Sequence, residues 1–514
     1  MTIMFRKSSF AGRRRENAAV LSLDNWDDYS FKTSFSLTFY DEKGQEHRIG
    51  NLKLGYVNQQ HGKTSDVLPD EFELLPETYF SLGQDVDYYQ NLRKLPPEAA
   101  NRILEGLRDV IYLPSLLGVA KEQTVFSTSL MRGVSESVIL GQYHRVLAGE
   151  VVLTEFRFLY RYPGEAGRAA PIHLDFHVKP ESKPSTNIHV LIGRNGIGKT
   201  TLLNNIVSSI VDERSTEAST GKIYSVGSFG TEVAISSEYF SSVVSVSFSA
   251  FDSFIPPIEQ PDRSKGIAYF YIGLKTLITE KSIRKAYPKK IEDLRADFIA
   301  SLKSCFAIDA KKSRWLTAIL KLESDANFAD MDLGRLAALT SEAVDGAATA
   351  LFNKMSSGHA IVLLTMTKLV ETVEEKTLVL MDEPESHLHP PLLSAFTRAL
   401  AELLTNRNGV AIIATHSPVV VQEVPKSCVW KLFRSRTEGR SDRPELETFG
   451  ENVGVLTREI FGLEVSKSGF HDVLSRAVEA GKSFEEIREE YGNQLGFEAQ
   501  AVVRALIASR DLPQ

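Results

Sequence analysis

Hydrophobic and polar positions alternate along "FKTSFSLTFYDEKGQEHRIGNLKLGYV", break at Asp41 to Gly44 and alternate again, which predicts a β-hairpin. "PPEAANRILEGLRDVIYLP" then shows helical spacing, with a proline pair suited to a first turn. "VVLTEFRFLYRYP" and "IHLDFHVKP" read as strands, and "IHVLI" as a short buried one. Beyond it, "TTLLNNIVSSIV" places apolar residues at 202, 203, 206, 207, 210 and 211, one face of a helix. "SSVVSVSFSAFDSF" predicts another buried strand ending in a loop, and residues 265–354 carry mostly helical periodicity. "TLVLMDEPESHLHP" and "GVAIIATHSP" return to short buried strands, and the tail reads as helices broken near Gly469, Gly481 and Gly496.

These patterns divide the chain into a polar leader, 1–29; a first part of an α/β lobe, 30–254; a helical lobe, 255–374; a second part of the α/β lobe, 375–454; and C-terminal helices, 455–514. Composition changes this picture little: of 514 residues, 43% are hydrophobic and 24% charged, enough for two or three lobes with ample core. A net charge of −7 excludes a protein that coats nucleic acid through general basicity and leaves only local patches. One such patch is Lys281, Arg284, Lys285, Lys289, Lys290, Lys311, Lys312 and Arg314; acids are interleaved, so a solvated helix face is the simpler reading and phosphate contact the alternative. Two cysteines, Cys305 and Cys428, suit core positions in a reducing compartment. The basic N-terminus lacks a long apolar run and no stretch is long and apolar enough to span a bilayer, so the expected location is cytoplasmic, with no membrane partner.

The candidate chemistry begins at "HVLIGRNGIGKTTLL". Gly193, four residues, Gly198, Lys199 and Thr200 form the G-x-x-x-x-G-K-[ST] phosphate loop. Glycines allow a nest of inward N–H groups, and the helix that follows adds the positive end of its dipole. Asn195, Gly196, Gly198, Lys199, Thr200 and Thr201 are the candidate ATP contacts; Lys199 is placed to meet the β and γ phosphates and the Thr200 hydroxyl to ligate Mg²⁺.

The strand "TLVLM" delivers Asp382 and Glu383 at its carboxyl end, where α/β sheets bind ligands. Asp382 is the second candidate Mg²⁺ residue, and Glu383 the group that polarises the attacking water, since phosphoryl transfer needs positioning and charge neutralisation. "VAIIATHSP" ends a further strand with Thr415, His416 and Ser417, which makes His416 a candidate γ-phosphate sensor. Between these motifs, "NKMSSGHAIVLLTMTKLV" offers Ser356 and Ser357 as N-cap residues, Gly358 for close backbone approach, and an apolar helix face.

In this order, phosphate loop, "MSSGH", D-E acids and switch histidine, the chain from about residue 30 to 430 resembles an ATP-binding-cassette (ABC) ATPase head. "MSSGH" resembles the L-S-G-G-Q signature of that family. The resemblance implies an α/β P-loop fold with a mixed sheet, flanking helices, a helical lobe and a helical C-terminal region. It also implies ATP with Mg²⁺, held in a head-to-tail homodimer or higher homo-oligomer where Ser356 and Gly358 of one copy face Lys199 and Glu383 of the other. Two departures stand out: His359 occupies the place of the usual glutamine, and no glutamine ends "SVSFSAFDSF", where Ser249 or Asp252 are the substitutes.

The "DEPE…LHP" form is similar to the soluble RecF-like, SMC-like and OLD branch and speaks against transport, while the absence of long heptads speaks against SMC-like arms. Too little chain follows His416 for a TOPRIM nuclease. "SVSFSAFDSF" and "FGENVGVLTREIFGLEVSKSGFHDVL" most resemble the ATPase subunit (PtuA-like) of Septu and retron anti-phage systems. That implies an ATPase with no nuclease site of its own, regulating a separately encoded HNH-type nuclease. The alternative is a RecF-like DNA-repair ATPase acting directly on DNA.

Overall fold

The computed structural model describes residues 2–8, 16–24, 27–28, 30–132, 134, 143–148, 155–165, 169–180, 182–212, 214–227, 230–248, 254–262, 265–280, 283–435, 438–461 and 469–511. Apolar strands recur at long spacing with helices between them, and the result is a seven-stranded sheet. Its order is Ala268–Gly273, Ser242–Ser247, Leu378–Asp382, Val410–Thr415, Ile188–Ile192, Val429–Ser435 and Glu438–Asp442. The first six strands are parallel and the last pairs antiparallel. Every residue of Ile188–Ile192, Leu378–Asp382 and Val410–Thr415 is buried, as near-continuous apolar runs covered on both faces must be.

One face packs on helices Ile291–Phe306, Asp309–Leu322, Ser357–Thr372 and Pro390–Arg407 around Phe298, Trp315, Met366 and Phe396. The other holds helix Lys199–Val211 and an antiparallel sheet ordered Ile172–Val178, Phe156–Tyr162, Lys222–Val226 and Glu232–Ala234.

The hairpin expected around Asp41 forms: Ser34–Tyr40 pairs with Glu46–Tyr56, and Asp41 Oδ1 accepts from the N–H groups of Lys43 and Gln45 at 2.9 Å each. Three expectations are corrected. The segment read as a polar leader supplies two strands, Met4–Lys7 and Ala18–Leu23, because "AAVLSL" is apolar enough to enter a core despite its basic surroundings. Together with the hairpin and the short strands Glu71–Phe72 and Tyr79–Gly83 they build a separate six-stranded sheet with its own core, closed by residues up to Leu147, rather than joining the seven-stranded sheet. The region read as a helical lobe opens with the edge strand Ala268–Gly273 and a hairpin, Lys275–Glu280 with Ile283–Pro288, before its helices begin at Ile291. Lys285 of the basic run therefore lies on a strand; Lys281 falls outside the described residues. The C-terminal helices, Val453–Phe461, Gly469–Glu479, Phe484–Glu490 and Phe497–Asp511, appear where expected.

The N-terminal unit is tied to the helices that cover the seven-stranded sheet by a buried carboxylate. Asp85 meets Arg314 at 2.8 Å and Arg407 at 3.3 Å. Burial opposes its ionisation, yet the two guanidiniums outweigh that cost and hold the carboxyl far below the ordinary range.

On the strand that leads to the phosphate loop, His189 is wholly shut away from solvent, its ring edge-on to Phe176. Burial, aided by the charge of Arg443, pulls its imidazole down to about 3. The unfolded chain thus binds a proton at ordinary histidine pH that the folded chain refuses, and stability is lost as pH falls below about 6.5 by up to ~1.4 kcal/mol per unit. His189→Phe is expected to remove this contribution, giving a shallower acid dependence of urea midpoints than the parent; parallel profiles would show that His189 is not the group responsible.

Candidate functional site

Strand register brings the sequence-predicted residues to one edge of the sheet. Asp382 lies opposite Ala414, Leu191 opposite Ala414, and Ile192 opposite Thr415. Two acids, the residue before His416 and the first glycine of the phosphate loop consequently leave their strands at the same level. Ser247 is also at this level, opposite Asp382; Ser249 and Asp252 fall outside the described residues.

The loop is shaped by its glycines. Gly196 and Gly198 have φ of 80° and 95°, left-handed conformations that favour glycine. A Cβ on Gly193 would come within 2.5 Å of the Leu432 carbonyl. Among the described residues, the backbone N–H groups of Asn195, Gly196, Ile197 and Gly198 donate to no protein acceptor, as a nest for an anion requires. Lys199 opens the helix Lys199–Val211; its Nζ donates to the carbonyls of Gly193 at 2.9 Å and Arg194 at 3.1 Å, arching over the loop. Burial pulls the Lys199 ammonium below the ordinary lysine range, and the carboxylates of Glu383, Asp382 and Glu385 counter that pull. Thr200 is half-buried beside it and Thr201 exposed. A lysine surrounded by three carboxylates, next to free N–H donors, suits a bound polyphosphate with a divalent cation. Thr200 and Asp382 are the residues here with the oxygen chemistry to hold Mg²⁺.

Glu383 adopts φ 46°, ψ 59°, and its N–H donates to the Ala414 carbonyl at 2.8 Å. A left-handed glutamate before a proline is strained, and such strain persists only where surroundings enforce it. Its carboxylate is 3.8 Å from His416 Nδ1.

Sequence reasoning missed Glu385. The Oε1 atom of this nearly buried side chain accepts from the Thr415 hydroxyl at 2.6 Å and the His416 N–H at 2.7 Å, and lies 3.0 Å from His416 Nδ1. It therefore fixes the strand end and sets a carboxylate beside the histidine ring. The signal was its place two residues beyond Glu383, where the short turn Pro384–His387 swings it back toward the neighbouring strand.

Among the described residues, no hydrogen bond joins Ser356 or Gly358 to Lys199, whose Nζ meets Gly193 and Arg194. Ser356 caps helix Ser357–Thr372, accepting from the His359 N–H at 3.4 Å. Gly358 packs under the turn after the acids, since a Cβ there would come 2.6 Å from the His387 carbonyl.

A family model described as "AAA domain, putative AbiEii toxin, Type IV TA system" matches residues 246–422, the span from the strand Ser242–Ser247 past His416. The chain is 47% identical to Protein ea59 of Escherichia phage lambda, over 96% of each. The chain belongs to the family of Protein ea59. Among solved structures, an ATP-binding cassette of an ABC transporter in its ADP conformation matches with 15% identity and TM-score 0.31, over 62% of this chain and all of that one. The SMC head domain from Thermotoga maritima matches with 11% identity and TM-score 0.29, over 57% of this chain and all of that one. With these motifs at one edge of a largely parallel sheet, the ea59-family chain is an α/β protein that carries the phosphate-loop motif. No helix among the described residues is long and apolar enough to cross a membrane.

Removing the Glu385 carboxylate leaves the buried Thr415 hydroxyl and the His416 N–H without their acceptor. Glu385→Ala is expected to lower stability by about 1–3 kcal/mol in urea denaturation, more than an alanine at the exposed Glu402 Lys321 pair. A loss no larger than that surface control would remove Glu385 from its anchoring role.

Proposed function

We propose that the chain is an ATP-hydrolysing ABC-type ATPase whose nucleotide-dependent dimer regulates a separately encoded HNH-type nuclease in anti-phage defence. The observation that carries the ATPase part is the exit of the phosphate loop, Asp382 and His416 from adjacent strands at one sheet edge, with the charges of Glu383, Asp382 and Glu385 countering the burial of Lys199. Thr200 and Asp382 would hold Mg²⁺, which would supply charge neutralisation for the phosphates. Lys199 exchanges its loop carbonyls for phosphate oxygens, and the glycine nest offers its N–H groups. Glu383 orients the attacking water, and His416, steadied by Glu385, donates to the γ-phosphate. None of these steps needs covalent catalysis.

The nuclease partner rests on the resemblance of "SVSFSAFDSF" and the C-terminal tail to Septu-type ATPases. It is supported by an exposed apolar strip on the C-terminal helices, Phe470, Val473 and Phe497. A relative encoded by a phage is compatible with this role, since a resident phage gains by excluding a second one. The purified chain, incubated alone with DNA and RNA in Mg²⁺, is expected to cut neither; cleavage lost on changing a residue of this chain would overturn the partner reading. Duplex binding with a steep salt dependence, together with DNA-stimulated hydrolysis, would favour the RecF-like alternative.

Two active-site variants separate binding from chemistry. Lys199→Ala is expected to weaken ATP binding by tenfold or more, roughly the worth of one charge-assisted contact, whereas Glu383→Gln keeps affinity, slows turnover by about a hundredfold and accumulates an ATP-bound dimer. Nucleotide-binding titrations and phosphate release measure both, and wild-type turnover in Glu383→Gln would exclude Glu383 as the water-orienting group.

The composite site is tested by mixing inactive Ser356→Arg with inactive Lys199→Ala. Each heterodimer keeps one intact site, so hydrolysis is expected to return to as much as about a quarter of the parent rate, on random pairing. No recovery, with heterodimers present, would place the whole site within one chain.

A further inference from the structure

Ser356 does more than cap its helix. Its Oγ lies 2.6 Å from His359 Nδ1, and His359 Nε2 lies 3.2 Å from Asp325 Oδ1. Asp325 also accepts the N–H groups of Asn327 at 3.0 Å and Phe328 at 3.2 Å, and its other oxygen is 3.1 Å from His389 Nε2. Burial opposes ionisation of Asp325, but the bond from His359 and the backbone donors outweigh it and hold the carboxyl below its ordinary range. An ionised carboxylate can only accept, so His359 Nε2 carries a proton.

The other ring nitrogen then decides the state of the serine. In neutral His359, Nδ1 is a lone pair and the Ser356 hydroxyl must donate to it; the serine turns only lone pairs outward, which repel a phosphate oxygen. In protonated His359, Nδ1–H donates to Ser356 Oγ, and the serine O–H is free to donate outward to an anion. The charged or titratable groups facing the ring are Asp325, from the turn before helix Ala326–Asp330, and, across that carboxylate, His389 at the head of helix Pro390–Arg407. The remaining ring neighbour, Phe328, is apolar.

We propose that His359, steadied by Asp325, is a positioning residue that switches Ser356 from a self-satisfied cap to a γ-phosphate donor, so that closing the ATP-bound dimer takes up a proton at His359. This rests on the head-to-tail ATPase reading above. It gives the departure from the usual signature glutamine a physical consequence: glutamine is a neutral donor with no proton to wait for, whereas histidine makes the cross-dimer contact dependent on pH.

The test compares the parent chain with His359→Gln and Asp325→Asn in single-turnover ATP hydrolysis between about pH 6 and 9, the range around a histidine titration. Alongside it, titration calorimetry with a non-hydrolysable ATP analogue and Mg²⁺, in two buffers of different ionisation enthalpy, counts protons taken up. The parent is expected to lose about tenfold in rate per pH unit on the alkaline side and to take up a proton on closing. His359→Gln is expected to flatten that limb and lose the uptake. Asp325→Asn, which removes the charge that favours the imidazolium, moves the limb to lower pH. An alkaline limb and proton uptake unchanged in a folded His359→Gln overturn the switch while leaving the ATPase reading intact. If His359→Gln does not fold, an unmoved limb in Asp325→Asn overturns it instead. A parent chain that forms no ATP-dependent dimer overturns both.

Discussion

Everything at the candidate site depends on the pairing register of four parallel strands. With Asp382 opposite Ala414 and Ile192 opposite Thr415, the phosphate loop, the two acids and His416 leave the sheet at one edge. Side chains alternate along a strand, so a slip of one residue would turn Asp382 to the other face and move Glu383 away from Lys199. That register is enforced by burial. The three central strands have no exposed residue, and any shift would put a charged end into the core or a core residue into solvent.

Because this edge is fixed, small polar devices can tune it. Glu385 turns back from the loop after the acids to hold Thr415 and His416, coupling the ends of two adjacent strands through one carboxylate. Glu383 is kept in a left-handed conformation by its bond to Ala414, against the extended preference of a residue before proline. Asp325 plays a comparable part, lying against both the helix that begins at Pro390 and the one capped by Ser356. At Glu385 and Asp325 a largely buried acid accepts several donors, which makes it costly to move any of them separately. The Asp85, Arg314 and Arg407 cluster extends this principle to the N-terminal unit, whose sheet is otherwise built around its own apolar core.

The elements that sequence patterns made legible were those with strong local causes. The hairpin at Asp41, the strand and helix flanking the phosphate loop, and the strand ahead of Asp382 each carry an unmistakable period or turn. The patterns misjudged residues 4–23 and 268–288, where short strands lie among charged residues. Lysines and arginines alternating with aliphatic residues, as in "SIRKAYP", satisfy a hairpin edge as well as a helix face. Glu385 and the Asp325 histidine pair were not visible because their partners are distant in the chain: Asp325 lies 34 residues from His359, and Glu385 lies 31 from His416.

By itself, then, the amino-acid order determined the local chemistry: a glycine loop with a lysine at the head of a helix, acids after an apolar strand, a histidine after another, a serine cap. These follow from backbone freedom and side-chain period, which act over a few residues. Only the tertiary structure decided that the first strands form a separate sheet, that the strand bearing His416 lies between those bearing the acids and the phosphate loop, and which carboxylate holds which histidine. Period tells a strand which face to bury but not which neighbour to join. That choice is made by the fit of whole faces in the core, where each strand's partners come from far along the chain.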